Sequence, residues 1–404
     1  MENSSHRYHR YRAALRYESL PVAFVDLDAV DHNIDTLLAP IRRSGKTLRI
    51  ATKSIRCIEL LRYIVKRSGI AARGVMAYCP NEARFLVENG FTDILVAYPT
   101  ASPQDARTLA RLNREGARVS IAVDSPEHLE ILDAAAHEFE ATLPFVVDID
   151  VSMRPWGGRL HVGVRRSPLH QAPAIADFIQ SAGQFRHLSF AGLLAYEAHI
   201  AGVAAQAPLG PLGATAKRAM KRMAGDNVIQ LRGSILHELE RRNIPVPLFN
   251  GGGTGSVLFS VTDPALTEVT AGSGFLDSHL FDHYEDLSFS PAAFFALQVT
   301  RKPSPGFVTC HSGGFIASGP GGNDRLPQPY LPEGMSLLGL EGAGEVQTPL
   351  AVPESVDLAL GHPVIFRHAK AGELAAHFSE YVFVRQDRIE SRAKTYRGAG
   401  EWFH

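Results

Sequence analysis

The chain has 404 residues, 45% of them hydrophobic and 21% charged, and a soluble chain of this length is expected to form two domains. Its 41 lysine and arginine residues nearly cancel its 42 aspartate and glutamate residues, which argues against nonspecific binding to nucleic acid. Three cysteines without a C-x-x-C pair argue against a disulfide framework or a zinc ribbon and favour a cytoplasmic protein. No apolar run predicts a membrane helix or a secretion signal, so we expect neither membrane insertion nor export.

Short apolar runs alternate with longer amphipathic segments along most of the chain. The runs that read as strands cover residues 22–28, 48–54, 74–79, 93–99, 118–124, 145–151, 190–197 and 247–253. The helical segments between them cover residues 56–68, 81–89, 102–115, 125–140 and 214–242. Eight near-equal strand and helix units predict an α/β fold, a closed (β/α)8 TIM-type barrel, with an open doubly wound sheet as the alternative.

The pattern changes near residue 285. Apolar runs at 292–300, 306–315, 363–368 and 381–386 are separated by glycine and proline turns without long helical periodicity, which predicts a C-terminal all-β domain. We therefore expect an N-terminal segment at 1–20 that packs with the β-domain, a barrel at 20–284 and the β-domain at 285–404.

Lys53 ends the second apolar run, where the barrel fold predicts the working face. Burial at a crowded barrel mouth lowers a lysine pKa, and a neutral amine can form a Schiff base. The competing interpretation is a lysine that extends its amine to solvent.

The segment 249–256 reads Phe-Asn-Gly-Gly-Gly-Thr-Gly-Ser and follows the eighth run. Its glycines allow close approach of the backbone to an anion, and its hydroxyl groups add donors, so the segment predicts a phosphate site. The spacing matches neither G-x-G-x-x-G nor a P-loop. A structural tight turn is the competing interpretation.

A lysine facing a phosphate site suggests pyridoxal 5′-phosphate (PLP). On these residues the chain resembles the fold-type III PLP enzymes, whose N-terminal barrel is that of alanine racemase, and within them the branch of D-threonine aldolase and D-serine dehydratase. The resemblance covers nearly the whole chain, and its motifs are PVAFVDLDAVDHNI (21–34), Lys53, DIDVSMR (148–154), GLLAYEAH (192–199), GGGTGS (251–256) and EVTAGSGFLDSHLFDHY (268–284).

The resemblance assigns roles to individual residues. It implies that Lys53 binds the cofactor covalently, that Tyr196 lies beside the cofactor and that His199 lies close to the substrate. It further implies phosphate binding by Gly252, Gly253, Thr254 and Ser256, with Tyr284 near the phosphate. The family's R-x-G-V motif reads HVGV here, so His161 replaces an arginine expected near the cofactor, and whether Arg159 or Arg165 takes its place is left open.

The resemblance also implies a divalent metal in the β-domain. His368 matches one ligand, but Lys370 occupies the second ligand position, and an ammonium group repels a divalent cation. Either Lys370 replaces the metal as a fixed positive charge, the interpretation that we favour, or a metal binds His368 together with Glu373 or His377.

The function that this resemblance implies is a PLP-dependent lyase, a homodimer acting on a small-molecule amino acid. Retro-aldol cleavage of a D-3-hydroxy amino acid to glycine and an aldehyde comes first, dehydration second and racemisation third. A racemase needs a second base, and Tyr330 and Tyr381 are its candidates. Two alternatives to a PLP-dependent lyase remain. One is a non-catalytic PLP-binding protein, which the C-terminal β-domain disfavours. The other is a metal-dependent hydrolase, which the scattered histidines disfavour.

Overall fold

The computed structural model describes residues 3–155, 159–202, 210–282 and 287–403, and of residues 210–219 it describes the backbone alone. Tyr284, to which the resemblance gives a place near the phosphate, lies outside these ranges. Within them, no helix combines the length and the apolar composition that a bilayer span requires.

The first nine strands alternate with helices. The strands are β1 (Val22–Asp26), β2 (Thr47–Ala51), β3 (Ala72–Ala77), β4 (Asp93–Val96), β5 (Arg118–Val123), β6 (Leu143–Asp148), β7 (Leu188–Leu194), β8 (Phe249–Gly251) and β9 (Glu268–Ala271). The helices are α1 (Ser4–Ala14), α2 (Leu27–Ser44), α3 (Ile58–Ser68), α4 (Pro80–Glu88), α5 (Pro103–Arg114), α6 (Pro126–Glu138), α7 (Ala172–Ala182), α8 (Ala198–Ala201), α9 (Gly210–Arg241), α10 (Val257–Ser260) and α11 (Leu374–His377).

Local sequence fixes where several of these helices begin. Ser102 and Ser125 accept hydrogen bonds from the amides of Asp105 and His128, and a proline occupies the first helical position after each serine. A side-chain acceptor satisfies an amide that has no partner within the helix, and proline has no amide to satisfy.

Strands β2 to β9 form a closed parallel barrel, which confirms the predicted fold class. Leu95, Ala122, Val146 and Leu194 form a separate buried cluster among these strands. This cluster and the buried ion pair of Arg49 with Glu268 (2.6 Å) fill the space between the strands, so a ligand cavity forms at the carboxyl ends of the strands.

The prediction that residues 22–28 supply the first barrel strand was wrong. β1 instead pairs antiparallel with β10 (Ala293–Ser304) and parallel with β16 (Glu380–Arg385), in the second sheet. The eighth barrel strand is β9, a short run that contains Glu268 and Thr270. A fully buried strand has the same apolar composition in either sheet, so composition alone could not separate them. Lys53 therefore follows the first barrel strand, and the glycine segment follows the seventh.

The remaining strands belong to the second sheet. They are β11 (Phe307–His311), β12 (Gln328–Leu331), β13 (Ser336–Leu337), β14 (Gln347–Ala351), β15 (Pro363–Arg367) and β17 (Arg388–Lys394). The sheet runs β13-β14-β11-β10-β1-β16-β17, and β15 pairs with both β10 and β12. Helix α1 packs on this sheet, where the Tyr8 hydroxyl donates to the Pro363 carbonyl (3.0 Å) and the Tyr11 hydroxyl donates to Asp26 (2.6 Å). The domain boundaries at 20 and 284 stay predictions.

Candidate functional site

A cavity of about 440 Å³ opens at the carboxyl ends of the barrel strands. Ala51, Ala77, Leu194, Asn250 and Ala271, from five barrel strands or their ends, line it. Both motifs singled out in the sequence reach it, because Lys53 and the glycine segment also line its wall. We call it the barrel cavity.

Lys53 sits on a short 3-10 turn, Thr52–Ser54, that directly follows β2. Its side chain is accessible to solvent through the open cavity. Protein atoms nevertheless surround the amine closely. Desolvation is the largest cause that lowers its pKa, and the positive charges of Arg166, Lys370 and Arg56 lower it further. Among the described residues no carboxylate forms an ion pair with Lys53. The amine is therefore held in surroundings that favour its neutral form.

The glycine segment presents unpaired amides to the cavity. In the part of the chain that the structure describes, the backbone N–H groups of Thr254, Gly255 and Ser273 have no protein acceptor, and all three residues line the cavity. The Thr254 hydroxyl oxygen accepts from the amides of Gly272 (3.3 Å) and Gly274 (3.1 Å), which ties the two loops together. Converging free amides are suited to bind an anion such as a phosphate.

Three of the four predicted phosphate ligands have other partners or another place. The Gly252 amide donates to Glu197 (3.1 Å), and the Gly253 amide donates to the Ser256 hydroxyl (3.0 Å). Ser256 is buried and donates in turn to Glu197 (2.8 Å), so it holds the loop from below. Only Thr254 of the four combines a place in the cavity wall with an unpaired amide. Gly255 and Ser273 share both features, although the sequence did not single them out.

A buried ionic group supports the loop from beneath. Glu197 forms an ion pair with Arg232, whose other end pairs with Asp263 (2.8 Å), and all three side chains are fully buried. Burial alone would raise the pKa of Glu197, but the Arg232 charge and hydrogen bonds from Ser260 and Ser256 hold it below its usual range. The carboxylate stays ionised and fixes the amide of Gly252.

Tyr196 lines the cavity directly above the glycine segment. A Cβ on Gly253 would stand 2.9 Å from the Tyr196 ring, so a side chain at this position would fill the space between ring and loop. Glycine is therefore required here for the close approach of the backbone to the ring.

The wall of the barrel cavity contains a cation, Arg166, that the sequence did not single out. Arg166 pairs with Asp148 (3.0 Å) and lies 5.9 Å from the centre of the Tyr196 ring. Burial, opposed by Arg166, raises the pKa of Asp148 to about 6. The side chains considered from the sequence for a place near the cofactor, those of Arg159, His161 and Arg165, line a neighbouring cavity. The Arg165-Arg166 pair after HVGV was the signal that could have found Arg166.

The structure does not bring His199 into the barrel cavity. His199 lines a separate cavity of about 290 Å³, and Val164 lies between the two. Its Nε2 atom is buried and has no hydrogen-bond partner among the described residues. The predicted contact of His199 with the substrate thus stays a prediction that no contact supports.

The tyrosines considered as a second base also lie elsewhere. Tyr381 is fully buried, and the Tyr330 hydroxyl accepts a hydrogen bond from Arg7 (2.5 Å). Neither residue lines the barrel cavity.

Glu82 is a buried acid near Lys53 that the sequence did not reveal. It accepts hydrogen bonds from the Tyr78 amide (2.9 Å) and the Tyr396 hydroxyl (3.0 Å). Burial raises the pKa of Glu82 to about 7. This acid is therefore partly protonated near neutral pH.

The proposed metal position contains an ion pair. The Lys370 amine donates to the Ser318 hydroxyl (2.8 Å) and lies 3.4 Å from the Glu373 carboxylate, which also binds Ser318. The Nδ1 atom of His368 lies 2.7 Å from the Lys370 carbonyl, and burial lowers the pKa of His368 to about 4. The positively charged Lys370 at the second ligand position does not fit a divalent ion, which it would repel. Within the described ranges no three His, Cys, Asp or Glu side chains converge there.

Comparison with known proteins gives one family match. The sequence model for "Alanine racemase, N-terminal domain" matches residues 25–275, more than half of the chain. Two curated relatives from Paracoccus denitrificans, both named 3-hydroxy-D-aspartate aldolase, are 25% and 26% identical over 259 and 260 residues. The match covers 64% of this chain, and it spans 60% of the length of each relative.

Solved structures share the fold over nearly the whole chain. D-threonine aldolase from Filomicrobium marinum superposes with a TM-score of 0.78 at 20% identity, covering 94% of this chain and 96% of its own. D-threo-3-hydroxyaspartate dehydratase from Delftia sp. HT23 gives 0.74 at 20% identity, covering 95% and 98%. The two-part architecture is thus shared with these structures.

Proposed function

The chain belongs to the alanine racemase N-terminal domain family, and from this premise we propose that it is a PLP-dependent lyase that cleaves D-3-hydroxy amino acids to glycine and an aldehyde. The observation that carries the proposal is that one cavity contains two features. The first is the Lys53 amine, whose pKa is lowered, and the second is the group of unpaired amides of Thr254, Gly255 and Ser273. The names of the curated aldolase relatives support the reaction type.

The residues of the barrel cavity fit the cofactor. Lys53 would hold its aldehyde carbon, and the amides of Thr254, Gly255 and Ser273 would hold its phosphate. Tyr196 and Arg166 complete the wall. When bound, PLP supplies a sink for the electron pair that remains at Cα when a bond to that carbon breaks.

The protein's own contribution is to hold and move protons. A Lys53 amine with a lowered pKa is neutral in a larger fraction of molecules near neutral pH, so its Nζ can accept a proton and return it. The ion pair of Arg232 with Glu197 fixes the glycine segment from beneath, so the amides keep their direction.

We further propose that Lys370 replaces the divalent metal as a fixed positive charge. Ser318 and Glu373 hold its amine, and its charge reaches the surroundings of Lys53. A cation near the substrate hydroxyl favours loss of the hydroxyl proton. A metal assay on protein purified without chelators tests this: an ion content far below one per chain supports it, and a stoichiometric divalent ion contradicts it.

The test of the function combines labelling with a substrate panel. We expect borohydride treatment of the holoprotein to place a reduced cofactor on Lys53, and the Lys53→Ala variant to take up no label. The same holoprotein is then incubated with D- and L-3-hydroxy amino acids. Release of glycine from the D isomers supports the aldolase, whereas ammonia with a keto acid identifies a dehydratase and inversion alone a racemase.

The proposal would be overturned if the labelling experiment and the substrate panel both failed. A label at another lysine contradicts the role of Lys53, and unchanged substrates with a labelled Lys53 leave a PLP-binding protein without lyase activity. We also propose a homodimer, as the family resemblance implies, which sedimentation of the holoprotein would test.

A further inference from the structure

A second cavity of about 400 Å³ lies beside the barrel cavity. Its wall contains the side chains of Asp150, Arg154, Arg159, His161, Arg165 and Arg166. We call it the arginine cavity. All of these residues follow β6 in the chain, and positively charged groups dominate the wall.

The charges of this wall are only partly balanced. Arg154 pairs with Asp150 (2.7 Å), and Arg166 pairs with Asp148 (3.0 Å). Arg159 and Arg165 are exposed and have no carboxylate partner among the described residues. Two positive charges therefore face this space without a counter-ion from the protein.

The remaining polar groups of the wall do not cancel that excess. The second oxygen of Asp150 accepts the Ser152 amide (2.7 Å), so its carboxylate is already occupied. The Nε2 atom of His161 lies 3.2 Å from the Val164 carbonyl. Neither group offers a free negative charge to Arg159 or Arg165.

Arg166 connects the two cavities, because its side chain lines both. It also donates to the Ala97 carbonyl (3.2 Å) at the mouth of the barrel, which fixes its position. A ligand that reacts at Lys53 could thus extend past Arg166 toward the unpaired arginines.

We propose that the arginine cavity binds an anionic group at the far end of the substrate side chain, so that the enzyme prefers hydroxy amino acids whose side chain carries a carboxylate or a phosphate. The inference rests on the proposed function and adds the substrate class to it. Guanidinium groups are suited to this task, since their planar N–H groups form paired hydrogen bonds to carboxylate and phosphate oxygens.

The first test measures binding without turnover. Succinate and inorganic phosphate are titrated separately into the PLP-loaded protein by calorimetry at low salt, so that the cofactor's own phosphate occupies the barrel cavity. We expect at least one of the two anions to bind, and the Arg159→Gln/Arg165→Gln double variant to weaken that binding about 10- to 100-fold. The Arg301→Gln variant, which removes an exposed charge from β10, serves as the matched control.

The second test compares substrates. We measure kcat/KM for D-threonine, 3-hydroxy-D-aspartate and 4-phosphooxy-D-threonine, whose side chains end in a methyl, a carboxylate and a phosphate. The ratio for the preferred anionic substrate over D-threonine should fall about 10- to 100-fold in the double variant and stay constant in Arg301→Gln. The preferred substrate also tells a carboxylate from a phosphate.

The outcomes separate the two proposals. If the protein turns over D-threonine and shows no preference for an anionic side chain, the proposed role of the arginine cavity is wrong, whereas the proposed lyase activity is supported. Absence of turnover with every hydroxy amino acid overturns the lyase, and the calorimetry then decides the cavity alone. Anion binding that is absent, or equal in the wild-type protein and the double variant, overturns the arginine cavity.

Discussion

Gly372 packs against the backbone of Lys53 so closely that a Cβ on Gly372 would overlap the Lys53 carbonyl oxygen. The contact joins the 3-10 turn Ala371–Glu373, which follows β15, to the turn that carries the reactive amine. The second sheet therefore helps to fix Lys53, although none of its strands belongs to the barrel.

The Gly372→Ala variant should displace one turn from the other. Because the clash is with the backbone of Lys53, no side-chain rotation can relieve it. We expect a lower melting temperature and at least a tenfold loss of kcat/KM, roughly what small displacements of a reacting group cost. The control is Gly233→Ala in α9, where no atom lies within 4 Å and the residue is exposed. That variant should be as stable as the wild type or slightly more stable. Equal behaviour of the two variants would contradict the role of Gly372.

Glu197 offers a test of the support beneath the glycine segment. Its replacement by Gln leaves the buried Arg232 short of one counter-charge, so we expect the free energy of unfolding to fall by about 3–5 kcal/mol, measured by urea denaturation. We also expect weaker binding of PLP, since the carboxylate accepts the Gly252 amide.

The control for Glu197 is an exposed ion pair. Glu138 lies 2.8 Å from Arg107, and both side chains are about half exposed. Glu138→Gln should change the free energy of unfolding by less than about 1 kcal/mol. If Glu197→Gln cost no more than this control, the buried group would have no supporting role.

The sequence alone predicted those features in which a chemically distinctive residue lies at the end of a periodic apolar segment. Alternation of strands and helices predicted the barrel, and Lys53 and Thr254 both line the cavity that it forms. These residues were found because a charged or glycine-rich end interrupts an apolar run, which is a local signal.

The remainder depends on contacts distant in sequence. β1 looks like a barrel strand, yet its partners lie more than 250 residues away in β10 and β16. Ser256 looks like a phosphate ligand, but its hydroxyl is bound to Glu197, 59 residues away. Tertiary packing decides whether a polar group faces the cavity or packs beneath the loop, and a local sequence pattern does not contain this information.

Glu82 predicts a pH dependence of stability. Its pKa is about 7 in the folded protein because of burial, against 4.5 for an unperturbed glutamate. Between these values the folded protein holds a proton that the unfolded chain has released, so stability falls as the pH rises through this window. The shift corresponds to roughly 3 kcal/mol.

Urea denaturation at several pH values between about 5 and 8 measures this effect. The Glu82→Gln variant keeps an acceptor for the Tyr78 amide and cannot ionise. Its stability, taken relative to the wild type, should therefore rise with pH across the window. Parallel curves for the two proteins would show that Glu82 does not titrate there.

The positive charge of Lys370 is expected to influence the pKa of Lys53. Its positive charge is one cause that lowers this pKa, after desolvation and Arg166. Removal of the charge in Lys370→Met should therefore raise the pKa of Lys53, so that Lys53 becomes reactive only at higher pH. The measurement is the pH dependence of reductive methylation of Lys53 in the cofactor-free protein, followed by mass spectrometry, which does not depend on turnover.

Two variants complete this test. Lys370→Arg keeps the charge and should keep the methylation profile of the wild type. Lys394→Met removes an exposed charge at the end of β17 and should leave the profile unchanged. If Lys370→Met also matched the wild type, its charge would not reach Lys53, and the proposal that Lys370 acts as a fixed cation in the reaction would lose its electrostatic basis.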